Sequence, residues 1–339
     1  MCKTDTLVAE THSLMQSHQF SGVIRLDRKG ETLLEYGYGL AQRALNLPNT
    51  PQTQFGIASG TKTLTALVII SLIAEGKFKL QSRVRALLSS DLPFIADEVT
   101  IEHLLSHRSG IGDYLDENDD PDLNDYLMPV PVHRLVNTLD YLPLLDAKPM
   151  KFSPGEQFAY CNSGFVVLAL IAERCTGLSF ANLVRQRVTE PAGMSHTAFL
   201  RSDELPALAA LGYLSDPQTD RTNVLHLPVR GSGDGGIYST AGDIHRLWDA
   251  LLLGRIVDKG WVDEMLRPRS TFASGGGYGL GLWHGAEGRY WMMGADAGVG
   301  FASGVLPAQD FRLTLLSNVT EGTDAVFRDL SKRLLAEVN

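Results

Sequence analysis

Apolar residues recur at helical spacing at the start of the chain. Leu7, Val8, Leu14 and Met15 share a stripe with Thr11 and predict an N-terminal helix. Two runs follow, Val23 to Leu26 and Thr32 to Tyr36, joined through Asp27-Arg28-Lys29-Gly30, which reads as a hairpin. From about Gly60 to Leu253 the pattern is mostly helical, with long loops. Thr100 caps a helix running through Leu104, and Ser163 opens another that stops at Gly177. Ser179 caps a third, with Phe180, Leu183, Val184 and Val188 on one face. After Gly275 strands return at Tyr278 to Trp283, Tyr290 to Met293, Val299 to Leu306 and Phe311 to Ser317. A last amphipathic helix carries Val326, Leu330 and Leu334.

Strands at both ends with helices between them predict an α/β plus α fold. Its antiparallel sheet is built from both termini and flanked by helices, with a mostly helical middle insertion. The expected division is a sheet domain from residues 1-60 and 235-339 and a helical domain from 61-234, with the active site at the junction. At 339 residues the chain buries a large core without disulfide staples. Its 30 Lys+Arg against 39 Asp+Glu give a net charge of −9, which disfavours nucleic acid and anionic membrane as partners. Three cysteines, Cys2, Cys161 and Cys175, form no Cys-x-x-Cys pair and read as reduced thiols. The polar start, Met1-Cys2-Lys3-Thr4-Asp5, lacks a signal-peptide core, so a cytoplasmic location is expected. The apolar stretches Leu64 to Ala74 and Phe165 to Ala172 are shorter than a membrane span.

The main chemical candidate is Ser59-Gly60-Thr61-Lys62, directly before the apolar helical run from Leu64. A serine at a helix N-terminus sits in the positive end of the dipole beside unpaired N–H groups. Lys62, three residues on, lies one turn later on the same face, where its amine can take the hydroxyl proton once burial lowers its pKa. Alone, Ser-x-x-Lys occurs about once by chance in a chain of this length, and it equally describes an N-cap serine with a surface lysine. Tyr160-Cys161-Asn162 stands just ahead of the helix opened by Ser163. There Tyr160 could relay a proton and Asn162 could hold a substrate amide; the plainer reading is a core tyrosine and a turn asparagine.

These residues, in this order, resemble the serine β-lactamase-like hydrolases: class C β-lactamases, D-Ala-D-Ala peptidases and family VIII carboxylesterases. Ser59-x-x-Lys62 is similar to their nucleophile motif and Tyr160-x-Asn162 to their second. The segment from Ile101 to Gly110, with His103-Leu104-Leu105-Ser106-His107, resembles the family's His-Leu-Leu-Thr-His-Thr-Ser-Gly. Phe152-Ser153-Pro154-Gly155, Glu190-Pro191-Ala192-Gly193-Met194 and Gly235-Gly236-Ile237-Tyr238-Ser239-Thr240 resemble further stretches, so the likeness covers most of the chain. The family's third motif, Lys-Thr-Gly or His-x-Gly, is not reproduced. Anchored on Gly300-Phe301, the region Met293-Gly294-Ala295-Asp296-Ala297-Gly298 places Ala295 at the cationic position, with neither Lys nor His available.

The resemblance implies a serine hydrolase that forms an acyl-enzyme on Ser59. Without the third-motif cation, Tyr160 loses a stabiliser of its phenolate and Lys62 becomes the expected base. The oxyanion hole would use the N–H of Ser59 and one near Ala297 or Gly298. Carboxylate-bearing substrates lose an anchor, with Arg230 as a substitute by position. Asp296 would repel a carboxylate and could attract an amine, or it simply caps a turn. The expected activity is carboxylesterase on a small-molecule ester or amide, with a D-amino-acid peptidase or amidase, or a weak β-lactamase, as the alternative. A non-catalytic ligand-binding member is the reading from a different class. No cofactor and no metal are expected. His103 and His107 have ligand spacing, but Leu104 replaces the Glu of His-Glu-x-x-His. No Gly-x-Ser-x-Gly elbow occurs. The acidic run Asp116 to Asp122 resembles a calcium loop, but Pro121 and Leu127 break its pattern, so it reads as a solvated loop or a flap over a cleft.

Overall fold

The computed structural model describes residues 3–117, 122–215, 219–273, 275–285 and 288–336. The strands are β1 (Gly22–Arg28), β2 (Glu31–Tyr38), β3 (Leu40–Gln42), β4 (Leu47–Pro48), β5 (Phe55–Gly56), β6 (Tyr238–Ser239), β7 (Ser270–Phe272), β8 (Gly276–Tyr278), β9 (Trp283–Gly285), β10 (Tyr290–Asp296), β11 (Val299–Leu306) and β12 (Phe311–Ser317). The helices are α1 (Lys3–Ser17), α2 (Thr61–Ala74), α3 (Val84–Leu88), α4 (Ile101–Leu105), α5 (Leu142–Leu145), α6 (Asn162–Thr176), α7 (Phe180–Val184), α8 (Glu190–Ala192), α9 (Ala241–Leu252), α10 (Lys259–Leu266) and α11 (Thr323–Ala336).

An eight-stranded antiparallel sheet, in the order β2-β1-β12-β11-β10-β9-β8-β7, joins the two ends of the chain. Side chains alternate across it, as the two-residue period of a strand requires. Ile24, Leu26, Leu313 and Leu315 face a core shared with Leu7 and Met15 of α1 and Val326, Leu330 and Leu334 of α11. Val23, Leu316, Phe301 and Met292 face the larger core built around α2, α6 and α9. α2 is apolar on every side and buried almost throughout, which makes it the central post of that layer. Among the polar groups turned into it, Trp248 donates to Ser303, and Ser303 shares a hydrogen bond with Thr314.

Two elements differ from the sequence expectation. The stretch Tyr278 to Trp283 is two strands, because Gly279 to Leu282 turn back on themselves; Gly281 takes φ +80° and Gly279 N–H donates to Leu282 O. β10 extends beyond Met293 to Asp296, which carries its end alongside the Ser59 turn. Among the described residues no single helix is long and apolar enough to cross a membrane.

Candidate active site

Ser59 stands in a 3₁₀ turn, Ala58–Gly60, wedged between β5 and α2. β5 is pinned by β6, and Ile57 N–H donates to Ile237 O. Ala58 enters the turn at φ +42°, a left-handed conformation that costs an L-residue roughly 1–2 kcal/mol and presents the next side chain sharply. Lys62 is only 2 % exposed. Its amine lies 2.7 Å from Ser59 Oγ, 2.7 Å from Asn162 Oδ1 and 2.8 Å from the Asp234 carbonyl oxygen. Burial holds the Lys62 pKa below its usual value, against the opposing fields of Asp234, Glu117, Asp113 and Asp296. A neutral amine has two N–H donors and one lone pair. Asn162 and Asp234 are acceptors only at those atoms, so in the neutral form they can take both donors and leave the lone pair for Ser59, whereas a protonated amine would donate to all three.

Tyr160 approaches Ser59 from the opposite wall and hydrogen-bonds to it; burial raises its phenol far above the usual range, so it stays protonated. Its ring stacks on His107 at 4.2 Å, lies parallel to Trp283 at 6.1 Å, and has Lys62 Nζ 4.9 Å from its centroid. The next residue is held as well, since Cys161 N–H donates to His107 Nδ1. The N-terminus of α6 starts one residue earlier than the expected Ser163 and is closed by a side chain distant in sequence. Asp113 accepts from the N–H groups of Asn162 and Ser163 and from Ser163 Oγ. Asn162 lines the cleft, but its amide is committed to Lys62, Leu115 O and Glu117. It therefore orients the lysine and the loop beside it, not a substrate amide.

The third support is the loop Gly231-Ser232-Gly233-Asp234-Gly235-Gly236. It threads between α2 and α6 so closely that a Cβ on Gly233 would lie 2.2 Å from Phe165 O. Thr65 Oγ1 donates to Gly233 O, and the Asp234 carboxyl accepts from Tyr114 OH, so the Asp234 carbonyl is fixed over Lys62. Burial raises the Asp234 pKa, with the nearby Lys62 opposing.

β10 forms the remaining wall. A Cβ on Gly294 would fall 2.4 Å from Ile57 O and 2.7 Å from Ser59 N, so only glycine lets this strand pass the Ser59 turn. That contact puts Gly294 at the glycine of the third motif and Met292, buried in the core, at the cationic position; the expected Ala295 there is a register error. Asp296 and Val299 pair across the two-residue turn Ala297-Gly298 and close it with backbone hydrogen bonds. By alternation Gly294 and Met292 also bond to β11, which turns the N–H groups of Met293 and Ala295 to the opposite edge. β9 occupies that edge only at Tyr290 and Trp291, so the Ala295 N–H has no strand partner there, one residue past the glycine that packs on the Ser59 turn. Ala297 and Gly298, expected to hold the oxyanion, lie beyond the cleft in the turn. Ala297 O accepts from Asn223, and Gly298 N–H donates to Thr320.

Ser59, Tyr160, Asn162 and Asp296 open onto one cleft of about 470 Å³. Its described walls carry Glu117, Asp234, Asp296 and Asp324 and neither Lys nor Arg. Arg230 does not reach it, although Val229 and Gly231 do. Of the acidic run, Asp116 pairs with Lys151, and Glu117 enters the cleft; Asn118 to Pro121 lie outside the described residues, as does Cys2. His103 and His107 do not share a helix face, because α4 ends at Leu105. His103 accepts from Thr100 N–H in a capping box, whereas His107 sits at φ +56° among aromatic rings. Sequence reasoning missed Asp234 and Tyr114, and it placed Glu117 only within an acidic loop read as solvated or as a flap over a cleft. The glycine-dense run around Asp234 was the available signal, since so many glycines mark a close backbone approach.

A model of the Beta-lactamase family matches residues 8–337. PbpX of Bacillus subtilis, named a penicillin-binding protein, is 27% identical over 302 residues, covering 88% of this chain and 71% of that one. Esterase EstB of Burkholderia gladioli is 29% identical over 70% of this chain and 67% of its own, and a D-aminopeptidase of Brucella canis 29% over 82% and 52%. The chain thus spans between about half and seven-tenths of these curated relatives. A penicillin-binding protein from Bacillus halodurans of known crystal structure is 34% identical, covers 95% of this chain and 99% of its own, and superposes with a TM-score of 0.90. With its sequence motifs, sheet order and cleft in agreement, the chain belongs to the Beta-lactamase family.

Proposed function

We propose that the protein is a serine hydrolase that cleaves small esters or amides through an acyl-enzyme on Ser59, with carboxylesterase activity foremost. The observation that carries this reading is the buried Lys62 amine, held by two acceptors and 2.7 Å from a serine hydroxyl that opens to a cleft. Lys62 takes the Ser59 proton as Oγ bonds to the substrate carbonyl carbon. The carbonyl oxygen becomes an oxyanion between the N–H groups of Ser59 and Ala295, an arrangement worth about 10²–10³ in rate per donor. Collapse breaks the bond to the alcohol or amine, which leaves with a proton from Tyr160, and Lys62 returns a proton to the phenol. Water then attacks the acyl carbon while Tyr160 takes its proton and hands its own to Lys62; as the bond to Oγ breaks, Lys62 returns that proton to Oγ, restoring the Ser59 hydroxyl and the neutral amine.

The same walls favour acyl donors without a carboxylate. Met292 stands where the family keeps a cation, and Lys62 has each of its contacts inside the protein. This supports esters over β-lactams and carboxyl-terminated peptides, which need such an anchor. A panel of nitrophenyl esters and nitrocefin tests the reading: short acyl esters should turn over at least tenfold faster than nitrocefin is opened, and Ser59→Ala should abolish turnover. Undiminished turnover in Ser59→Ala overturns the mechanism. Ester binding without turnover in the parent protein would favour the non-catalytic reading.

A further inference from the structure

We propose that Asp296 recognises a substrate ammonium, so that this site prefers esters or amides of amino acids whose amine is free. The inference rests on the hydrolase reading above and names its substrate class. The cleft carries four carboxylates and, among the described residues, neither Lys nor Arg. Three of the four have partners: Asp234 accepts from Tyr114, Glu117 from Asn162, and Asp324 pairs with Arg328. The Asp296 side chain makes no hydrogen bond or ion pair to a described residue; its backbone bonds across the turn to Val299, and its oxygen accepts from Thr320. Lys62 cannot serve as its partner, because that amine is already surrounded by Ser59, Asn162 and Asp234.

Position then selects the ligand. Asp296 directly follows Ala295 on β10, and Ala295 carries the edge N–H that the hydrolase reading assigns to the oxyanion. One residue along a strand is roughly 3.4 Å. The Asp296 backbone therefore lies one step past that donor, with the residue lining the cleft that Ser59 opens to, and an α-ammonium is two bonds from the carbonyl carbon. An acyl group with a cation at its α-carbon matches that spacing. An acyl group with a carboxylate there would meet Asp296, Asp234 and Glu117 together. Burial in this acidic surrounding raises the Asp296 pKa to about 7, an unfavourable state that a bound cation relieves.

The test compares substrates that differ only in the ammonium. At pH 7 an α-amine is largely protonated. Alanine p-nitroanilide, in both enantiomers, is measured against isobutyryl p-nitroanilide, in which a methyl replaces the ammonium. We expect at least one alanine enantiomer to be favoured in kcat/KM by tenfold or more. That ratio should fall at least tenfold in Asp296→Asn and recover in part in Asp296→Glu. A ratio within twofold of the parent in Asp296→Asn, or a parent preference for isobutyryl, overturns the proposal. If neither anilide turns over, calorimetric titration of Ser59→Ala with alaninamide and isobutyramide reads the same preference as a ratio of Kd values. Equal or absent binding there overturns it too. A protein that binds alaninamide selectively but takes no fluorophosphonate on Ser59 would retain the ammonium site and lose the hydrolase reading.

Discussion

At the residue scale the outcome turns on which group holds a lone pair near Ser59. Lys62 and Tyr160 both reach the hydroxyl, but burial acts on them in opposite senses. It lowers the amine, favouring the neutral base, and raises the phenol, favouring the neutral acid. Lys62→Ala should therefore reduce the acylation rate by about 10³ or more, and Tyr160→Phe by roughly 10–10², measured by single-turnover kinetics with a nitrophenyl ester. The reverse order would make Tyr160 the base. The sign of the pH dependence follows: kcat/KM rises as Lys62 loses its proton and levels off above its pKa, which lies below 10.5, because a protonated amine has no lone pair to offer. The Ser59–Lys62 relation was legible in the sequence because it is local, one helical turn; Tyr160, far along the chain from Ser59, was tied to it only through the family resemblance of Tyr160-x-Asn162. The carbonyl of Asp234 and the carboxylate of Asp113 were not legible, because their partners are far along the chain and no period announces them.

At the scale of elements, β10 carries the part of the site that sequence reading placed wrongly. A strand's two-residue period tells which faces alternate but not which residue meets a given neighbour, and a slip of one exchanges the faces. The sequence reading anchored the strand on Gly300-Phe301, although Gly294 and Gly298 stand close by. Only the close approach of Gly294 to the Ser59 turn separates them, and on the proposed mechanism it makes Ala295 the oxyanion donor in place of Ala297 or Gly298. Gly294→Ala tests this directly. Its Cβ would meet backbone atoms of Ile57 and Ser59, so the strand or the turn must shift. We expect kcat to fall about 10²-fold, since a displaced oxyanion donor costs that much, together with a loss of about 1–3 kcal/mol in urea unfolding. Near-normal kcat in Gly294→Ala would contradict the register. The sheet itself was legible from alternation at both ends of the chain. The break at Gly279 to Leu282 was not, because apolar residues on both sides disguise the turn.

At the scale of the whole molecule, a sheet closed from both ends of the chain and a helical layer centred on α2 meet at an acidic cleft. Gathering carboxylates there has a stability consequence. The folded Asp296 carboxyl titrates at about 7 against 3.8 for the free side chain. Its folded pKa is raised, so the stability it contributes is intact below about pH 3.8 and is lost as pH rises through about 7. Asp296→Asn should therefore be more stable than the parent at pH 8 by about 1–3 kcal/mol and little changed at pH 4, as read from urea unfolding at both pH values. An equal gain at pH 4 would show that charge is not the cause. The central claim, that Lys62 makes Ser59 the nucleophile, is met most directly by fluorophosphonate labelling followed by peptide mass mapping. The account predicts one adduct, on Ser59, formed quickly by the parent and at least a hundredfold more slowly by Lys62→Ala. An adduct elsewhere, or none on Ser59, would contradict it.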